Sequence, residues 1–453
     1  MNRFLKMTSL AALCALLALA FLFFYTPMRF SGCLLLSASG LNTSGYAQQL
    51  GAPKSYGSEK LSLKMPKENA VQDGVNPITG EAFSGEYRPT LVSIDAHPAA
   101  LPHWGVASAD ISYEMPVQAD GSTRSAMLFM GTIPAYAGPV RSGRVPMGSL
   151  REIWGGAWVF YGWQNWANGN NTVVDVDDWA LSIHKDAREK GRWVFPFIEG
   201  TERNYADLFH RENDGEHVAP HNVQIDMNAV ASLFTSEPTK HPFKFTETGL
   251  DHGTDVSSIT INYKTTTPAY VSSYEYNEMT GLYERYRNGS PYYDALTGAQ
   301  TEYANVIVLR TEVTWFNNAP QRPVIQLVGQ GVAEIFQNGK YIRGTWVRTH
   351  DGKTGDDVKS LSSRMIFLDD NGNELEMKVG KTFIQIVNND QSVIVNAGEQ
   401  IDGAAAQATP APTATPKPTR TPKPTRTPKA GANATPVPVE GEENADEDVS
   451  FGG

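Results

Sequence analysis

Four short apolar runs decide the fold of the first half of the chain: TLVSI (90–94), ISY (111–113), AMLFM (126–130) and AWVFY (157–161). Each has the length and composition of a strand and is bounded by Pro, Gly or Asp. The segment Met147–Trp154, just before the last run, has a helical pattern. Strands that alternate with helical segments are typical of α/β domains, so we predict an α/β domain over residues 76–235.

The second half is richer in strands and carries no convincing helical run. Turn signals such as Asn338-Gly339 and Asp370-Asn371-Gly372 separate apolar runs and suit tight hairpins. We therefore predict a mainly antiparallel β domain over residues 255–400. Its expected strands are Ser257–Tyr263, Tyr270–Tyr276, Tyr283–Arg287, Asn305–Glu312, Val324–Val328, Val332–Gln337, Tyr341–Arg348, Met365–Leu368, Leu375–Lys378, Phe383–Val387 and Val393–Asn396.

The overall charge argues against nucleic-acid binding. The chain has 453 residues with 38 Lys+Arg and 49 Asp+Glu, a formal net charge of −11. Attraction to nucleic-acid phosphates needs a concentrated basic surface. We therefore expect no nucleic-acid partner.

The N-terminus predicts export. Arg3 and Lys6 precede the apolar run 10–25, which is typical of an export signal or membrane anchor over residues 1–36. Three outcomes stay open: an uncleaved transmembrane anchor, lipidation of Cys33 after Phe30-Ser31-Gly32, or cleavage near Ala38. All three place the bulk of the chain outside the cytoplasm, anchored or released. The chain's other cysteine is Cys14, so the folded part has no thiols. This fits an exported protein, because thiols are oxidised outside the cytoplasm.

Two segments lack the pattern of a folded domain. Residues 37–75 are rich in Ser, Gly, Lys and Gln, and we expect them to be a flexible tether. Residues 404–453 form a disordered Thr/Pro/Lys tail, with TPKPTR at 415–420 and again at 421–426. Two roles stay open for the tail. It is either a solvated chain, or it binds an anionic cell-wall polymer through Lys417, Arg420, Lys423, Arg426 and Lys429.

Several motifs resemble one bacterial family across residues 75–390. They are NPITG (76–80), RP (88–89), IDAHP (94–98), ADISYE (109–114), GSTR (121–124), GPVRSGR (138–144), APHN (219–222), YEYN (274–277) and FQNGK (336–340). This set is similar to the YerB-like family of bacterial lipoproteins, a domain of unknown function with N- and C-terminal parts. The resemblance implies a fold and a location in the cell envelope, but it implies no established reaction.

The clearest candidate for ligand binding is the loop Pro139–Pro146. Two arginines, Arg141 and Arg144, flank Ser142 ahead of a helix that Pro146 suits at its first turn. Guanidinium groups and exposed backbone N–H groups favour a carboxylate or a phosphate. The alternative is structural, with an arginine paired to Asp110 or Glu114. Arg124 and Asn222 join the candidate ligand-binding residues.

Polar residues that follow predicted strands could face one crevice. The candidates for acid–base catalysis are Asp95, His97, Glu114 and His221, although these histidines could equally be hydrogen-bonded loop residues. A metal held by the two histidines and a carboxylate is a weaker alternative, and we predict no metal and no cofactor. No Gly-x-Ser-x-Gly or His-Glu-x-x-His motif occurs.

Six of the nine tryptophans lie between residues 154 and 193. Core packing is the default for such residues, but a wall-facing protein could use aromatic rings to bind glycans. Trp163 and Trp166, near Asn165 and Asn168, are the preferred ligand-binding candidates.

These observations predict a membrane-anchored extracytoplasmic protein of the cell envelope. We expect it to bind an anionic wall-derived ligand or an envelope partner. The alternatives are a hydrolase or transferase acting on envelope polymers, and an assembly scaffold. Whether the chain is an enzyme stays open.

Overall fold

One large sheet runs through both halves of the folded chain in the computed structural model. The structure describes residues 47–50, 66–165, 172–235, 237–240, 243–263, 268–316, 322–348 and 362–397. The sheet has eleven strands, in the spatial order β13 (Thr254–Asp255), β23 (Lys340–Arg348), β22 (Gly329–Gln337), β19 (Asn305–Thr311), β26 (Thr382–Asn388), β3 (Ile111–Pro116), β4 (Thr123–Phe129), β2 (Thr90–Asp95), β6 (Ala157–Phe160) and β9 (Phe197–Glu199), with β24 (Ile366–Leu368) beside β23.

The two halves join where β26 pairs with β3. This pairing is parallel, with Ile384 opposite Tyr113. The pairs β2–β6 and β6–β9 are also parallel, whereas β2–β4 and β3–β4 are antiparallel. Strands β2, β3, β6, β9 and β26 therefore end at the same edge of the sheet. Every residue of β2, β3 and β4 is buried, which explains why apolar and polar residues do not alternate strictly along these strands.

A second, wholly antiparallel sheet of seven strands belongs mainly to the C-terminal half. Its order is β1 (Ala47–Leu50), β27 (Val393–Ala397), β14 (Ser258–Asn262), β15 (Val271–Asn277), β16 (Leu282–Arg287) and β17 (Ser290–Pro291), with β18 (Glu302–Tyr303) also beside β16. Its side chains Ile259 and Tyr274 share a core with Val308 and Phe383 of the large sheet. The seven-stranded sheet thus packs against one face of the large sheet.

The remaining strands form four small sheets. They are β10 (Phe209–Arg211), β11 (Val223–Asp226) and β5 (Tyr136–Ala137); β12 (Lys244–Thr246) with β25 (Glu376–Lys378); β20 (Val313–Phe316) with β21 (Arg322–Ile325); and β7 (Arg188–Glu189) with β8 (Arg192–Trp193).

Three α-helices lie within the described residues, α1 (Val145–Trp154), α2 (Val176–Ile183) and α3 (Met227–Ser232). Four 3₁₀ turns accompany them, Pro98–Ala100, Val106–Ser108, Ala206–Leu208 and Pro268–Tyr270. Pro146 stands in the first turn of α1, as predicted. The helix packs Leu150 and Trp154 into the largest apolar core, together with Leu91 and Leu128 of the sheet.

The prediction of an α/β first half and a mainly antiparallel β second half is confirmed. Among the described residues, none of the helices combines the length and apolarity needed to cross a bilayer. The apolar run 10–25, Cys33 and the tail 404–453 lie outside the described residues. Within the predicted tether, Ala47–Leu50 forms strand β1, and the carbonyls of Pro66 and Lys67 accept hydrogen bonds from Arg364.

Candidate functional site

The predicted arginine loop lies at the edge where β2 and β6 end. Its backbone is held on both sides, because Arg141 N donates to Ser93 O at 2.9 Å and Gly143 N donates to Gly162 O at 2.9 Å. Gly143 is required for this close approach, since a Cβ there would lie 2.9 Å from the Trp158 ring. The loop therefore carries its arginines to the edge at which ligands bind in open α/β sheets.

We call Arg124, Arg141, Arg144 and Arg322 the arginine cluster, because the charges of Arg141 and Arg322 both act on Arg124 and Arg144. Arg322 begins strand β21 of the C-terminal half, and its positive charge acts on Arg124 and Arg144. Asp95 is the one carboxylate among the described residues that forms an ion pair with a member, with 3.1 Å between its Oδ2 and Arg141 Nε. The cluster therefore has a large excess of positive charge.

Buried donors in the cluster lack partners. Arg124 Nη1 donates to Ser142 O at 2.8 Å, and Arg144 Nη1 donates to Gly143 O at 2.9 Å. The Nε groups of both arginines are buried without a hydrogen-bond partner, as is Gln164 Nε2. These side chains are only 7–8% exposed. Such buried, unpaired donors are costly, and an oxyanion would satisfy them.

The electrostatics of the cluster agree with this description. Burial, and then the charges of Arg124, Arg322 and Arg141, hold the pKa of Arg144 well below its usual range. Burial also lowers the pKa of Arg124 to about 10, although Asp95 acts in the opposite direction. A bound anion would relieve both the repulsion and the unfavourable burial of charge.

Asp95, His97 and His221 are brought together beside the cluster. His221 Nδ1 lies 2.6 Å from Asp95 Oδ2, and the His221 and His97 rings stack at 4.3 Å with an interplanar angle of 13°. Burial alone would raise the pKa of Asp95, but Arg124, His221 and Arg141 outweigh it and hold the pKa below its ordinary value. Burial and the neighbouring His221 lower the pKa of His97.

Glu114 does not lie with Asp95, His97 and His221. It is fully buried between the two large sheets, where Arg285 Nη2 lies 3.2 Å from its Oε2 and Arg287 Nη1 contacts its Oε1. Thr123, Ser272 and Gln385 also donate to its carboxylate. Burial would raise the pKa of Glu114, but the two arginines lower it to about 2. A carboxylate held in this way stays ionised and inaccessible, so the predicted convergence of Glu114 with the two histidines is wrong.

The structural alternative for the loop pairs an arginine with Asp110 or Glu114, and neither carboxylate is the partner. Asp110 is bonded to Asn76 and to the backbone N–H groups of Met130 and Gly131, and Glu114 to its own arginines. The carboxylate that pairs with Arg141 is Asp95.

The other predicted ligand-binding residues are already engaged. Asn222 Oδ1 accepts from Arg211 at 2.8 Å, and its Nδ2 donates to Glu212 O at 2.8 Å. Trp163 Nε1 donates to Asp177 at 2.9 Å, and the Arg188 guanidinium lies 5.3 Å from the Trp163 ring. Ser142 contributes its carbonyl oxygen to Arg124. Trp166 lies outside the described residues.

Two residues of the site do not stand in a recognisable sequence motif. Arg322 lies far from the loop in the chain, in a strand with no recognisable motif. Glu199 is fully buried at the end of β9, where its carboxylate accepts from the backbone N–H groups of Gly162 at 2.6 Å and Thr201 at 2.8 Å. It thereby fixes the turn after β6. The one sequence signal for Glu199 is its position at the end of a strand.

One group of possible metal ligands occurs in the part of the chain that the structure describes. It consists of Asp214, Glu216 and His217, whose ligand atoms lie within 4.8 Å of one another. His217 Nε2 is bonded to Pro102 O at 2.8 Å. In the candidate site, the Nδ1 atoms of both histidines are already bonded, His221 to Asp95 and His97 to Ala99 N–H.

The site thus combines an arginine cluster with an Asp–His pair at the strand ends of the large sheet. Models of the N- and C-terminal domains of a family described as "Protein of unknown function (DUF3048)" match residues 78–240 and 259–384. The chain belongs to this family.

Two comparisons connect the chain to one protein of Bacillus subtilis. It is 24% identical over 354 residues to "Putative lipoprotein YerB" of strain 168, covering 75% of this chain and 96% of that protein. The crystal structure of the YerB protein from Bacillus subtilis matches with a TM-score of 0.55 and 22% identity, over 69% of this chain and 96% of that chain. The resemblance to the YerB-like family is therefore confirmed, and so is the fold.

Proposed function

We propose that this protein is anchored to the cell membrane, with the bulk of the chain outside the cytoplasm. We also propose that it binds an anionic, wall-derived ligand through the arginine cluster. The name of the Bacillus subtilis relative and the predicted export signal or membrane anchor at residues 1–36 support this location. The observation that carries the binding proposal is the pair of buried Nε donors, on Arg124 and Arg144, that have no partner.

The charge balance favours an anion over a neutral ligand. Of the four guanidinium groups, Arg141 alone forms an ion pair with a described carboxylate, Asp95, so an incoming anion meets positive charge that the protein has not neutralised. Arginine donors form short, charge-assisted hydrogen bonds with phosphate and carboxylate oxygens. Both groups occur in cell-envelope polymers.

The cluster can be reached from solvent. The Arg141 side chain is 27% exposed and that of His221 is 14% exposed, whereas Arg124 and Arg144 lie beneath them. A ligand would therefore meet Arg141 first and the buried donors afterwards. Arg322, which the C-terminal half supplies, would add its positive charge to the site.

Isothermal titration calorimetry with inorganic phosphate tests the proposal. We expect the full chain to bind phosphate and Arg322→Ala to weaken binding by about tenfold or more, because a charged hydrogen bond contributes about 1.5–3 kcal/mol. Arg192 is an exposed arginine of β8, outside the cluster, and Arg192→Ala is the matched control. Equal affinity in Arg322→Ala, Arg141→Ala and Arg192→Ala would contradict the proposal.

A further inference from the structure

The stacked histidines at the arginine cluster present two different groups to a ligand. Asp95 Oδ2 can only accept a hydrogen bond, so His221 Nδ1 carries the proton and the neutral ring keeps a lone pair on Nε2. His97 Nδ1 accepts from Ala99 N–H at 3.1 Å, so the neutral His97 ring carries its proton on Nε2. The pair therefore offers an acceptor at His221 Nε2 and a donor at His97 Nε2. In each ring the hydrogen bond at Nδ1 fixes the protonation of Nε2.

The acceptor lies next to the proposed anion site. Asp95 Oδ2 contacts both His221 Nδ1 at 2.6 Å and Arg141 Nε at 3.1 Å, so one oxygen atom bridges the histidine and the cluster. The described residues provide no hydrogen-bond partner for His221 Nε2, and the side chain is partly exposed. Asp95 itself is 3% exposed and fixes the orientation of the imidazole.

We propose that His221 is the general base for hydrolysis of a phosphate ester held by the arginine cluster. This inference rests on the proposed function and names its substrate class. His221 Nε2 takes a proton from a water molecule while the water oxygen forms a bond to phosphorus. The bond from phosphorus to the leaving oxygen breaks, and that oxygen keeps the electron pair and takes a proton from solvent. The imidazolium then returns its proton to solvent.

The neighbouring residues have distinct parts in this step. Asp95 is a positioning residue, because it acts through His221 and keeps the Nε2 lone pair available. His97 donates a hydrogen bond from Nε2 to an ester oxygen. The arginines balance the charge that develops on the phosphoryl oxygens. A phosphate ester suits the cluster better than a single carboxylate, because it brings more acceptor oxygens to the unpaired donors of Arg124, Arg144 and Gln164.

The test uses the full chain and the chromogenic ester bis(p-nitrophenyl) phosphate. We expect measurable release of p-nitrophenolate, and His221→Gln should lower turnover by about 100-fold or more while still binding inorganic phosphate. The matched control is His252→Gln, since His252 also contacts aspartates, Asp251 and Asp370, but on the exposed surface. That variant should keep full turnover.

Two further variants keep the test decisive if His221→Gln does not fold. Added imidazole should partly restore turnover in His221→Gly. Asp95→Asn should lower kcat more than it changes KM and alter the acidic limb of the pH profile. If the full chain binds phosphate but releases no p-nitrophenolate, or if His221→Gln retains the rate, the catalytic inference is wrong and the binding proposal stands. If the full chain binds no phosphate, the proposed function itself fails.

Discussion

His221 Nδ1 lies 2.6 Å from Asp95 Oδ2 and joins residues that are 126 positions apart in the chain. Asp95 ends β2, and His221 belongs to the loop just before β11. The contact fixes that loop to the strand-end edge of the large sheet, where Arg141 donates to Pro220 O at 3.3 Å. The histidine, the carboxylate and the arginine loop thus form one structural unit.

The pKa of His97 should rise when His221 is replaced. Burial lowers the pKa of His97, and the charge of the stacked His221 lowers it further. His221→Gln removes that charge while keeping much of the volume, so His97 should take up its proton at a higher pH than in the unchanged protein. The chemical shift of the His97 ring protons, followed by NMR over pH, measures this. An unchanged or lower pKa would contradict the stacked arrangement.

Replacing Glu114 should strongly destabilise the fold. Glu114→Gln would leave Arg285 and Arg287 buried without a counter-charge, which costs about 3–5 kcal/mol. Urea denaturation at pH 7 measures the loss. The matched control is Glu86→Gln, because Glu86 is 74% exposed in a surface pair with Arg88, and its loss should stay within about 0.5 kcal/mol.

The same carboxylate predicts a pH dependence of stability. The pKa of Glu114 is about 2 in the folded chain, below its ordinary value of 4.5. A lowered pKa contributes stability that is fully present above the unfolded-state value and is lost as the pH falls through the folded-state value. The unchanged protein should therefore lose stability between about pH 4.5 and pH 2. Glu114→Gln should show a smaller loss there, and an equal loss in both proteins would contradict the ion-pair description.

Trp163 should affect stability more than ligand affinity. Trp163→Phe removes the hydrogen bond to Asp177 and weakens the contact with Arg188, at a cost of about 1 kcal/mol. Phosphate affinity should not change. Thermal denaturation and calorimetry on the same variant separate the two effects. Weaker binding of a soluble wall glycan at unchanged stability would instead support the predicted glycan contact.

The anchor proposal makes a separate prediction about Cys33. If Cys33 carries the lipid, Cys33→Ala should move the protein from the membrane fraction to the medium, and mass spectrometry should find a lipid on the N-terminal fragment of the unchanged protein. Cys14→Ala serves as the control, since it removes the other cysteine of the chain. Retention of Cys33→Ala in the membrane would support an uncleaved anchor over residues 1–36.

Local sequence predicted most of the fold because strands buried on both faces need continuous apolar runs. The runs at 90–94 and 157–161 became β2 and β6, and Met147–Trp154 lies within α1. The parallel pairing of β26 with β3 was not predictable in this way. It joins the two halves in one sheet and depends on contacts between residues about 270 positions apart, for which a local pattern carries no signal.

The site was predictable where its residues stand in motifs and not where they come from distant strands. Asp95, His97, Arg141 and His221 stand in recognisable loops at strand ends, and the structure brings them together. Glu114 also stands near a strand end, yet it points into the interface with the seven-stranded sheet. Its partners, Arg285 and Arg287, are supplied by β16, so its burial follows from tertiary packing alone.

The most direct test of the arginine cluster is a crystal of the full chain soaked in tungstate, a tetrahedral oxyanion with strong anomalous scattering. We expect a peak within hydrogen-bond distance of the Nε atoms of Arg124 and Arg144, and loss of that peak in Arg141→Ala combined with Arg322→Ala. A fully soaked crystal with tungstate at other surface arginines, such as Arg192, and none at the cluster would contradict anion binding by the arginine cluster.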